Sequence, residues 1–452
     1  MVKNKKKIVI LGSGFAAVEC AKKLEKEFGN DPEVELTMVG EDNFLLFTPM
    51  LPQVASGMIE TRHIVFPIRT ICKKTKFYEG RIKNIDPHGK LVTLWGTREK
   101  RSISINYDFL VVALGSETNF FGMADVEKNA YTMKTLNDAI LLRNRVIDML
   151  EQAENETDPI LRKGMLNFVV VGGGYAGIET AGELLDLLFD ATKHYPTIQK
   201  EDVKVIVLEA MGEILGGANK KLANFAKEQL TKRGMNIQLK KAVTSFDGNE
   251  VMIKSLDETP KDSIDQSEVS SIITKTLIWT AGITSVSTIK RSMFKTDKGK
   301  IVVNKFLEIK EFPGVFAIGD CALFVDPITN RPLPPTAQIA EAQAKLAAKN
   351  LIAIIKNSEK EKFVYQSKGQ LAIIGKRTGI ATILGMNISG FLAWLIWRNV
   401  YLSKVPTFDK KTRVFLDWMI DLFFDRDVSR LNYIKRETEK EYKLLDEVDD
   451  LW

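Results

Sequence analysis

Apolar and polar positions follow the same arrangement in two separate parts of this chain. In each part a short β-branched apolar run, residues 7–11 and residues 167–171, is typical of a buried strand. A glycine-rich turn follows, and the apolar positions after it recur at the three- and four-residue spacing of a helix face. The pattern therefore predicts two strand-turn-helix units.

The two turns carry glycine at the same relative positions, in residues 12–17 and residues 172–177. The first glycine of such a turn permits a tight bend, and the second lets backbone N–H groups approach a pyrophosphate. The third position must be small so that helix and strand pack closely. One such turn is weak evidence, but two in the same context predict two dinucleotide-binding sites.

A carboxylate at the end of the second strand of each unit is expected next, because it hydrogen-bonds an adenosine ribose. In the second unit the run 203–208 ends in Glu209, and no arginine stands beside it to hold a 2′-phosphate, which favours NAD(H) over NADP(H). In the first unit the run 34–39 ends in Gly40, and the carboxylate comes one place later at Glu41. For both acids an ordinary solvated strand end is the alternative.

Three further apolar runs end in small residues: 107–116, 275–282 and 314–320. The first two predict equivalent strands of two duplicated units. The third ends in Gly-Asp, where Asp320 could hydrogen-bond the ribityl chain of a flavin, an ordinary helix N-cap being the alternative. Between the two units a long amphipathic helix is predicted over residues 136–153.

Length and composition fit a multidomain protein and exclude other classes. The 452 residues suffice for about two to three domains. The 64 basic and 58 acidic residues are nearly balanced, and no basic tract is interleaved with aromatic residues, so nucleic acid is not an expected partner. The three cysteines are far apart, which indicates a reducing compartment. No signal peptide is expected before residues 8–11, so the first unit is predicted to face the compartment of synthesis.

Together these motifs resemble those of the flavoproteins with two dinucleotide-binding domains, and within them the type II (non-proton-pumping) NADH:quinone oxidoreductases. The resemblance covers residues 8–427. It is most specific in residues 333–338, Leu-Pro-Pro-Thr-Ala-Gln, a segment that borders the flavin ring and the quinone pocket in this family. The other matching segments are residues 12–17, 47–49, 113–119, 172–184, 279–282 and 318–320.

The resemblance implies an α/β fold with two Rossmann-like dinucleotide-binding domains, in which the FAD domain is split around an inserted NADH domain. The FAD domain would span residues 1–130 and 300–350, and a helical connection residues 131–165. The NADH domain would span residues 166–299, and residues 351–452 would form an amphipathic, membrane-associating region. The implied activity is hydride transfer from NADH to FAD, then two-electron reduction of a membrane quinone without proton pumping.

The resemblance also implies which residues bind the two dinucleotides, and no metal site is expected. The FAD-binding residues would be Gly12, Gly14, Phe15, Ala16, Glu41, Thr48, Pro49, Ala113, Gly115, Gly319, Asp320 and Ala337. The NADH-binding residues would be Gly172, Gly174, Tyr175, Ala176, Gly177, Glu209, Ala281 and Gly282.

Proton delivery is the second chemical requirement. Hydride transfer between stacked rings needs little acid-base chemistry, whereas quinone reduction consumes two protons that the protein has to supply. Glu179, seven residues after Gly172, is implied to lie near the flavin and nicotinamide, where it is the predicted proton relay or nicotinamide contact. A surface glutamate is the alternative. Glu183 shares its helix face and is expected to be structural.

Gln338 is the second predicted catalytic residue, because the resemblance places it beside the flavin and the quinone. Many relatives carry another glutamine four residues later, where this chain has Ala342, with Gln343 one position further. For Lys376, a solvated loop lysine is the alternative. The implied quinone-contacting residues are Gln338, Ile339, Gln343 and Lys376.

Three other functions are alternatives to this activity. A sulfide:quinone oxidoreductase-like enzyme relies on cysteines that flank the flavin, and this chain has none between Cys72 and Cys321. A disulfide oxidoreductase fails for the same reason, because no cysteine has a near-sequence partner. A non-enzymatic NADH-sensing flavoprotein scaffold would need no membrane contact, and the aromatic C-terminal segments argue against it.

The C-terminal third contains two short segments rich in Trp, Phe and Leu, residues 388–398 and 414–424. The first apolar run is about ten residues, short of the ~20 that span a bilayer. Arg398, Lys404 and Arg413 lie among them, and aromatic and basic residues on amphipathic helices suit the headgroup boundary. A dimer interface or domain-packing helices are the alternative, and both could hold at once.

These features predict a peripheral, monotopic enzyme on the cytoplasmic face of the cell membrane. NADH and a membrane quinone are the expected small-molecule partners, and a homodimer is expected. The acidic segment 437–450 is predicted to lie away from the lipid.

Overall fold

The computed structural model describes residues 5–96, 102–256 and 269–430. The end of the predicted membrane-associating region, residues 431–452, lies outside the described residues, and so does the acidic segment 437–450. Two mainly parallel sheets dominate the described chain, and each begins from one of the two predicted apolar runs. The strand-turn-helix pattern read from the sequence is therefore confirmed.

The first sheet has seven strands, of which five neighbouring strands are parallel. The last two continue it as an antiparallel meander. Its central strand, Lys6–Leu11, is almost entirely buried, as expected when helices cover both faces of a parallel sheet. In spatial order the strands are Val315–Ala317, Phe109–Val112, Lys6–Leu11, Val34–Gly40, Lys76–Asp86, Leu91–Gly96 and Ser102–Asn106.

The second sheet has five strands, all parallel. Its central strand is buried at every position. In spatial order its strands are Tyr131–Thr132, Thr276–Trp279, Asn167–Val171, Lys204–Glu209 and Asn236–Leu239. Tyr131–Thr132 lies within the segment predicted to be a helical connection, so that segment also supplies an edge strand.

Each glycine turn opens a helix: Phe15–Phe28 is the first-turn helix and Tyr175–Ala191 the second-turn helix. The predicted amphipathic helix is present as Leu136–Asn155, and it begins where Thr135 and Asp138 form a reciprocal capping box. The helix Ala337–Ile355, called the Gln338 helix, packs against the first-turn helix. The remaining helices of this part are Leu51–Ala55, Ile68–Ile71, Ala124–Asn129, Pro159–Leu166, Lys220–Lys232 and Ser287–Lys290.

The molecule has two halves, the first built on the seven-stranded sheet and the second on the five-stranded sheet. Smaller hairpins and ladders complete each half. The second half carries an antiparallel three-stranded sheet, and the first half carries short two- and three-stranded ladders around the edge of its main sheet. Their strands are Lys241–Phe246, Glu250–Ser255, Val269–Ile273, Phe44–Leu46, Val65–Pro67, Thr296–Asp297, Lys300–Val302, Ala322–Leu323, Val325–Asp326 and Arg331–Pro332.

The chain passes from the first half to the second and back through one two-stranded ladder. Glu117–Thr118 on the way out pairs with Ile283–Thr284 on the way back. Beyond it, Ile289 and Phe294 are buried in the core of the first sheet, and Thr288 Oγ1 donates to the Ile82 carbonyl at 3.0 Å. We therefore propose that the inserted half spans residues 119–282, so that both boundaries lie earlier in the chain than the predicted boundaries at 130 and 299.

The C-terminal region is a three-stranded antiparallel sheet followed by two helices. The predicted helical run 388–398 is divided, because Ile388 belongs to the strand Met386–Gly390 and the helix starts only at Phe391. Gly390 adopts φ +76°, which turns the strand into the helix. In the described residues no helix is both long and apolar enough to cross a bilayer. The elements are Gly369–Ile373, Gly379–Ile383, Met386–Gly390, Phe391–Lys404 and Phe408–Phe423.

Candidate functional site

The two glycine turns have the same backbone geometry. Gly12 adopts φ +114° and Gly172 φ +105°, a region that only glycine enters without strain. A Cβ atom at position 12 would lie 2.2 Å from the Ala113 carbonyl oxygen, and one at Gly177 would lie 1.9 Å from the Gly172 carbonyl oxygen. Close approach of backbone to backbone therefore requires glycine at these positions.

Each turn leaves its helix N-terminus open. A Cβ atom at Gly14 or at Gly174 would meet no heavy atom within 4 Å. Neither helix start receives a side-chain cap, so the N–H groups of the first helical turn are available to an anion. The space and the free donors fit a dinucleotide pyrophosphate at both turns.

The strand registers show which residues of the two units are equivalent. Leu11 pairs with Val39, and Val171 pairs with Leu208, so the next residues, Gly40 and Glu209, occupy the same place. The Glu209 carboxylate accepts from the Gly173 N–H at 2.5 Å and from the Met211 N–H at 2.7 Å. These two bonds fix the carboxylate at the strand end, beside the second turn.

In the first unit a different side chain fills the equivalent space. A Cβ atom at Gly40 would lie 2.8 Å from Ser13 Cβ, so the serine side chain of the first turn fills the space that Glu209 fills in the second unit. Glu41 lies one residue further along and its side chain is 71 % exposed. Its Oε1 is 3.9 Å from Nε of Arg81. The first unit thus offers a carboxylate beside the turn, but from a more exposed position.

The Gly-Asp turn meets the first glycine turn. A Cβ atom at Gly319 would lie 3.3 Å from Ala16 Cβ, which shows how closely the two turns approach. Asp320 Oδ2 accepts from Ser116 Oγ at 2.9 Å, and Lys134 Nζ donates to the same hydroxyl at 2.8 Å. Burial lowers the pKa of Lys134, and attraction by Asp320 opposes that effect. The sequence did not single out Lys134, because only the fold brings it to this turn.

Gln343 supports the Gly-Asp turn instead of facing open space. Its side chain is 2 % exposed, and its Oε1 accepts from the Gly319 N–H at 2.7 Å. Ile339 is also buried, at 5 % exposure. The Gln343 side-chain oxygen is therefore used by the turn, and its contact with the quinone stays a prediction. Ala337, also predicted, is the first residue of the Gln338 helix, whose N-cap is Thr336.

The strand Gly369–Ile373 collects side chains from both halves of the molecule. Gln338 Nε2 donates to the Gly369 carbonyl at 3.3 Å. The Tyr175 hydroxyl donates to Gln370 Oε1 at 2.7 Å. Glu179 Oε1 accepts from the Ile373 N–H at 3.1 Å. The two predicted catalytic residues thus border one strand.

Glu179 lies in an apolar environment. Burial raises its pKa to about 8, and the neighbouring Glu183 charge adds to that rise, while the bond from Ile373 opposes it. The Trp397 indole is close enough to lower this pKa, although its N–H is not aligned for a hydrogen bond. Burial also raises the pKa of the nearby Tyr401. At neutral pH Glu179 therefore holds a proton that it can give up.

An aromatic row connects this environment to the first glycine turn. Ring centroids of Phe15 and Phe47 lie 5.6 Å apart, and those of Phe47 and Tyr401 lie 6.2 Å apart. Tyr401 in turn packs on Trp397 at 4.3 Å. The row runs from the first turn to the C-terminal helix Phe391–Lys404, so this helix forms part of the candidate site.

Glu183 is a structural residue, as expected. It is 2 % exposed, accepts from Ser56 Oγ at 2.8 Å and is 3.0 Å from Arg426 Nη2. Arg426 also contacts Asp421 of the last helix at 3.2 Å. Because breaking a buried ion pair costs ~3–5 kcal/mol, this cluster firmly joins the second-turn helix to the C-terminal region.

Lys376 lies in the loop before the strand Gly379–Ile383. Its Nζ is 3.7 Å from Asp190 Oδ2, and its side chain is 40 % exposed. It therefore sits near the far end of the second-turn helix, while Glu179 sits near the beginning. The structure does not bring Lys376 into contact with Gln338 or with Glu179 in the described residues.

The other predicted residues surround the two turns. Thr48 is exposed and Pro49 half-buried in a short turn that follows the buried Phe47. Ala113 and Gly115 end the strand beside Lys6–Leu11, with Gly115 at φ +70°. Ala281 and Gly282 hold the equivalent place in the second half, while Ala176 is exposed at the helix start.

The three cysteines are free and buried. Burial raises the pKa of Cys72 to about 12 and that of Cys321 to about 11, so their thiols stay protonated at neutral pH. Cys321 lies behind the Gly-Asp turn, and its thiol contacts the Ile318 carbonyl at 3.2 Å. A packing role fits these residues better than redox chemistry.

Comparison with protein families identifies two matching regions. Residues 6–344 match the pyridine nucleotide-disulphide oxidoreductase family, and residues 367–427 match the NDH2 C-terminal domain. The second match covers the three-stranded sheet and the two C-terminal helices.

Relatives and solved structures agree with this. The chain is 32 % identical over 432 residues to a probable NADH dehydrogenase of Dictyostelium discoideum, covering 94 % of this chain and 91 % of the relative. It is 32 % identical over 435 residues to the type II NADH:quinone oxidoreductase of Mycobacterium tuberculosis, covering 93 % and 89 %. The structure of NDH2 from Plasmodium falciparum in complex with NADH superposes with TM-score 0.84 at 20 % identity, covering 94 % of this chain and 100 % of that one.

These matches extend over both glycine turns and the C-terminal region. The chain belongs to the type II NADH:quinone oxidoreductases, FAD-dependent enzymes that oxidise NADH and reduce quinone.

Proposed function

We propose that NADH binds at the second turn with its adenosine ribose on Glu209, and that quinone is reduced beside Gln338 and Glu179. The strand Gly369–Ile373 carries this proposal, because its backbone contacts both of these side chains. It contacts the beginning of the Gln338 helix and also the second-turn helix, so residues from both halves act along one strand.

FAD fits the first half. The open helix N-terminus after Gly14 would hold its pyrophosphate, Asp320 would hold its ribityl chain, and Glu41 would reach its ribose. Bound FAD supplies the two-electron chemistry that links NADH oxidation to quinone reduction. The protein's own contribution is to align the ligands and to exclude water through the aromatic row that includes Phe47 and Tyr401.

Glu179 delivers a proton in this proposal. Its raised pKa keeps the carboxyl protonated at neutral pH, and quinone reduction needs a proton at the reacting oxygens. Its Oε1 is held by the Ile373 N–H, which orients the group toward the strand that Gln338 also contacts. Gln338 has a hydrogen-bonding amide for a quinone carbonyl and carries no charge.

The C-terminal helices form the proposed membrane-contacting face. They present large apolar side chains to the outside, as helices that lie on a membrane surface do. The face would bring the enzyme to its lipid-dissolved quinone on the cytoplasmic face of the cell membrane. The homodimer stays a prediction. The exposed side chains are Phe391, Leu392, Leu395, Phe408, Phe415, Leu416, Ile420, Phe423 and Phe424.

The flavin spectrum tests the reaction. The purified enzyme should be yellow, anaerobic NADH should bleach it, and a short-chain quinone should restore the colour. Sulfide should not bleach it, because the described cysteines are buried and protonated. Bleaching by sulfide would contradict the proposal in favour of a sulfide:quinone oxidoreductase.

Vesicle flotation tests the membrane-contacting face. The variant Phe415→Ser, Ile420→Ser, Phe423→Ser should lose binding to phosphatidylcholine vesicles, because each large apolar side chain contributes ~1.5–3 kcal/mol on burial. A matched control removes three exposed apolar side chains elsewhere: Met211→Ser, Met293→Ser, Ile328→Ser. Equal loss in both variants would contradict the assignment of this face.

A further inference from the structure

A groove lies on the outer side of the first half, between the first-turn helix and the Gln338 helix. Its cavity measures about 620 Å³. The first-turn helix supplies three lysines and the Gln338 helix two, and the chain after the Gln338 helix closes one side. The charged lining residues are Lys22, Lys23, Lys26, Lys345, Lys349, Lys362, Glu19 and Glu361.

The groove carries excess positive charge. Lys345 Nζ is 3.6 Å from Glu19, and Lys349 pairs with Glu361, which uses both acids. The other four lysines, Lys22, Lys23, Lys26 and Lys362, are exposed and make no ion pair within the part of the chain that the structure describes.

The spacing of the lysines along each helix is unfavourable for the stability of the helix. Lys22 and Lys26 are four residues apart on one helix, as are Lys345 and Lys349 on the other. Like charges at this spacing destabilise a helix by ~0.2–0.5 kcal/mol per pair. Glu19 and Glu361 compensate Lys345 and Lys349, whereas Lys22 and Lys26 have no such partner in the described residues. An anion bound in the groove would offset their repulsion.

One wall of the groove is apolar. Leu346 and Phe363 pack into the core below it, and Val364 is 72 % exposed at its edge. Apolar surface beside clustered ammonium groups suits an amphiphile. A simple inorganic anion would gain nothing from it.

The groove continues toward the membrane-contacting face. A second cavity of about 280 Å³ shares Glu19 and Lys22 with the first. Its far end is lined by Lys404, Pro406 and Thr407, the connection between the two C-terminal helices. The first residue after this connection, Phe408, is 84 % exposed. A lipid at the edge of the membrane contact therefore lies at the mouth of this path.

We propose that the first cavity binds the phosphate headgroup of an anionic phospholipid, which enters through the second cavity from the membrane on which the C-terminal helices lie. The lysines contact the phosphate, and the apolar wall contacts the glycerol and the start of the acyl chains. The inference rests on the proposed membrane contact. It adds a lipid-selective site outside the region of Gln338 and Glu179.

The test measures flotation of the full-length holoenzyme with two kinds of vesicle, phosphatidylcholine alone and phosphatidylcholine mixed with phosphatidylglycerol. The groove variant is Lys23→Gln, Lys26→Gln, Lys362→Gln. A lysine near an anionic surface favours binding by roughly fivefold. Affinity for the mixed vesicles should therefore fall by between about tenfold and about 100-fold. Affinity for neutral vesicles should not change.

The matched control is Lys220→Gln, Lys221→Gln, Lys232→Gln, which removes the same charge from an exposed helix of the second half. It should change mixed-vesicle affinity less than about threefold. Equal losses in the two variants would overturn the proposal, since general charge attraction would then suffice. An unchanged groove variant would also overturn it.

Two further measurements separate the possible causes of failure. Inorganic phosphate at matched ionic strength should leave binding to the mixed vesicles unchanged, and displacement by phosphate would assign the groove to a free anion and overturn the lipid proposal. NADH oxidation with a short-chain quinone in detergent should be the same in all variants. If the wild-type enzyme is active but binds neither kind of vesicle, the proposed membrane contact is wrong, and this inference is wrong with it. The proposed reaction would not be affected.

Discussion

The two glycine turns share a backbone but divide the space at the strand end differently. In the second unit Gly173 is small and Glu209 fills the space, whereas in the first unit Ser13 fills it and Gly40 is small. The exchange moves the first unit's carboxylate one residue along, to the exposed Glu41. The backbone therefore provides the pyrophosphate site in both units. The residues at two positions, one in the turn and one at the strand end, decide how firmly the ribose-binding carboxylate is held.

The helices that follow show the same divergence. Glu19 and Glu179 both lie seven residues after the first glycine of their turns. Glu19 contacts Lys345 near the surface, while Glu179 is half-buried against the C-terminal region and its pKa is raised to about 8. The same position thus holds an acid that can carry a proton in the second unit and a surface charge in the first unit.

The largest effect is expected from Gly177→Ala. The added Cβ atom would lie 1.9 Å from the Gly172 carbonyl oxygen, so the helix must move away from the turn. NADH affinity should fall at least ~100-fold, as an overpacking cost of ~3 kcal/mol implies, and calorimetry can measure it. The counterpart Ala17→Gly adds no clash and should lose only ~1 kcal/mol of stability. Equal loss of NADH affinity in both would contradict the turn assignment.

Glu179→Gln should come next. Quinone-dependent turnover should fall at least ~tenfold, because a positioned acid contributes ~10²–10⁴ and water replaces part of it. The wild-type rate should decline as pH rises through about 8, since the carboxyl loses its proton there, and the variant should lack this decline.

Stopped-flow reduction of the flavin by NADH provides the control for Glu179→Gln, and it should change little. The counterpart variant Glu19→Gln should keep both the rate and the pH dependence. If the rate of Glu179→Gln still declines near pH 8, the proton comes from another group.

Glu209→Gln should weaken NADH by ~tenfold, because an amide keeps one backbone bond but loses a charge-assisted one worth ~1.5–3 kcal/mol. NADPH affinity should fall less. The counterpart Glu41→Gln should alter FAD retention by less than ~threefold, since an exposed carboxylate contributes ~1 kcal/mol or less. Unchanged NADH affinity in Glu209→Gln would refute the ribose assignment. Fluorescence titration measures both.

The smallest effect is expected from exchanging the small residues. Gly173→Ser would place a Cβ atom 3.1 Å from the Glu209 side chain, which must then shift by a few tenths of an ångström. NADH affinity should fall ~threefold, or ~0.7 kcal/mol. Ser13→Gly opens space and should leave FAD retention unchanged. A larger loss in Ser13→Gly than in Gly173→Ser would reverse the comparison.

Much of this architecture is readable from sequence, because local signals specify it. Alternating glycines after β-branched runs placed both turns, and the Thr135 and Asp138 pair starts the predicted long helix. The strand-end position of Glu209 was also readable, since a buried run ends there. These features depend on residues close together along the chain.

The rest depends on contacts between distant segments. Nothing near Lys134 indicates that it lies beside Ser116 and Asp320. Gln343 is buried and accepts from the Gly319 N–H, a contact across 24 residues that no neighbouring residue in the sequence indicates. The run 388–398 combines a strand and a helix, which periodicity cannot separate in short apolar runs.

The paired strands Glu117–Thr118 and Ile283–Thr284 have a consequence for how such a protein can arise. The whole nucleotide-binding insert enters and leaves the first half at adjacent residues, so its ends are already joined as a hairpin would be. A host domain could accept this insert by opening one surface loop, without breaking its own sheet. Exchange of inserts between relatives at this ladder would be a direct route to chimaeras with a different nucleotide preference.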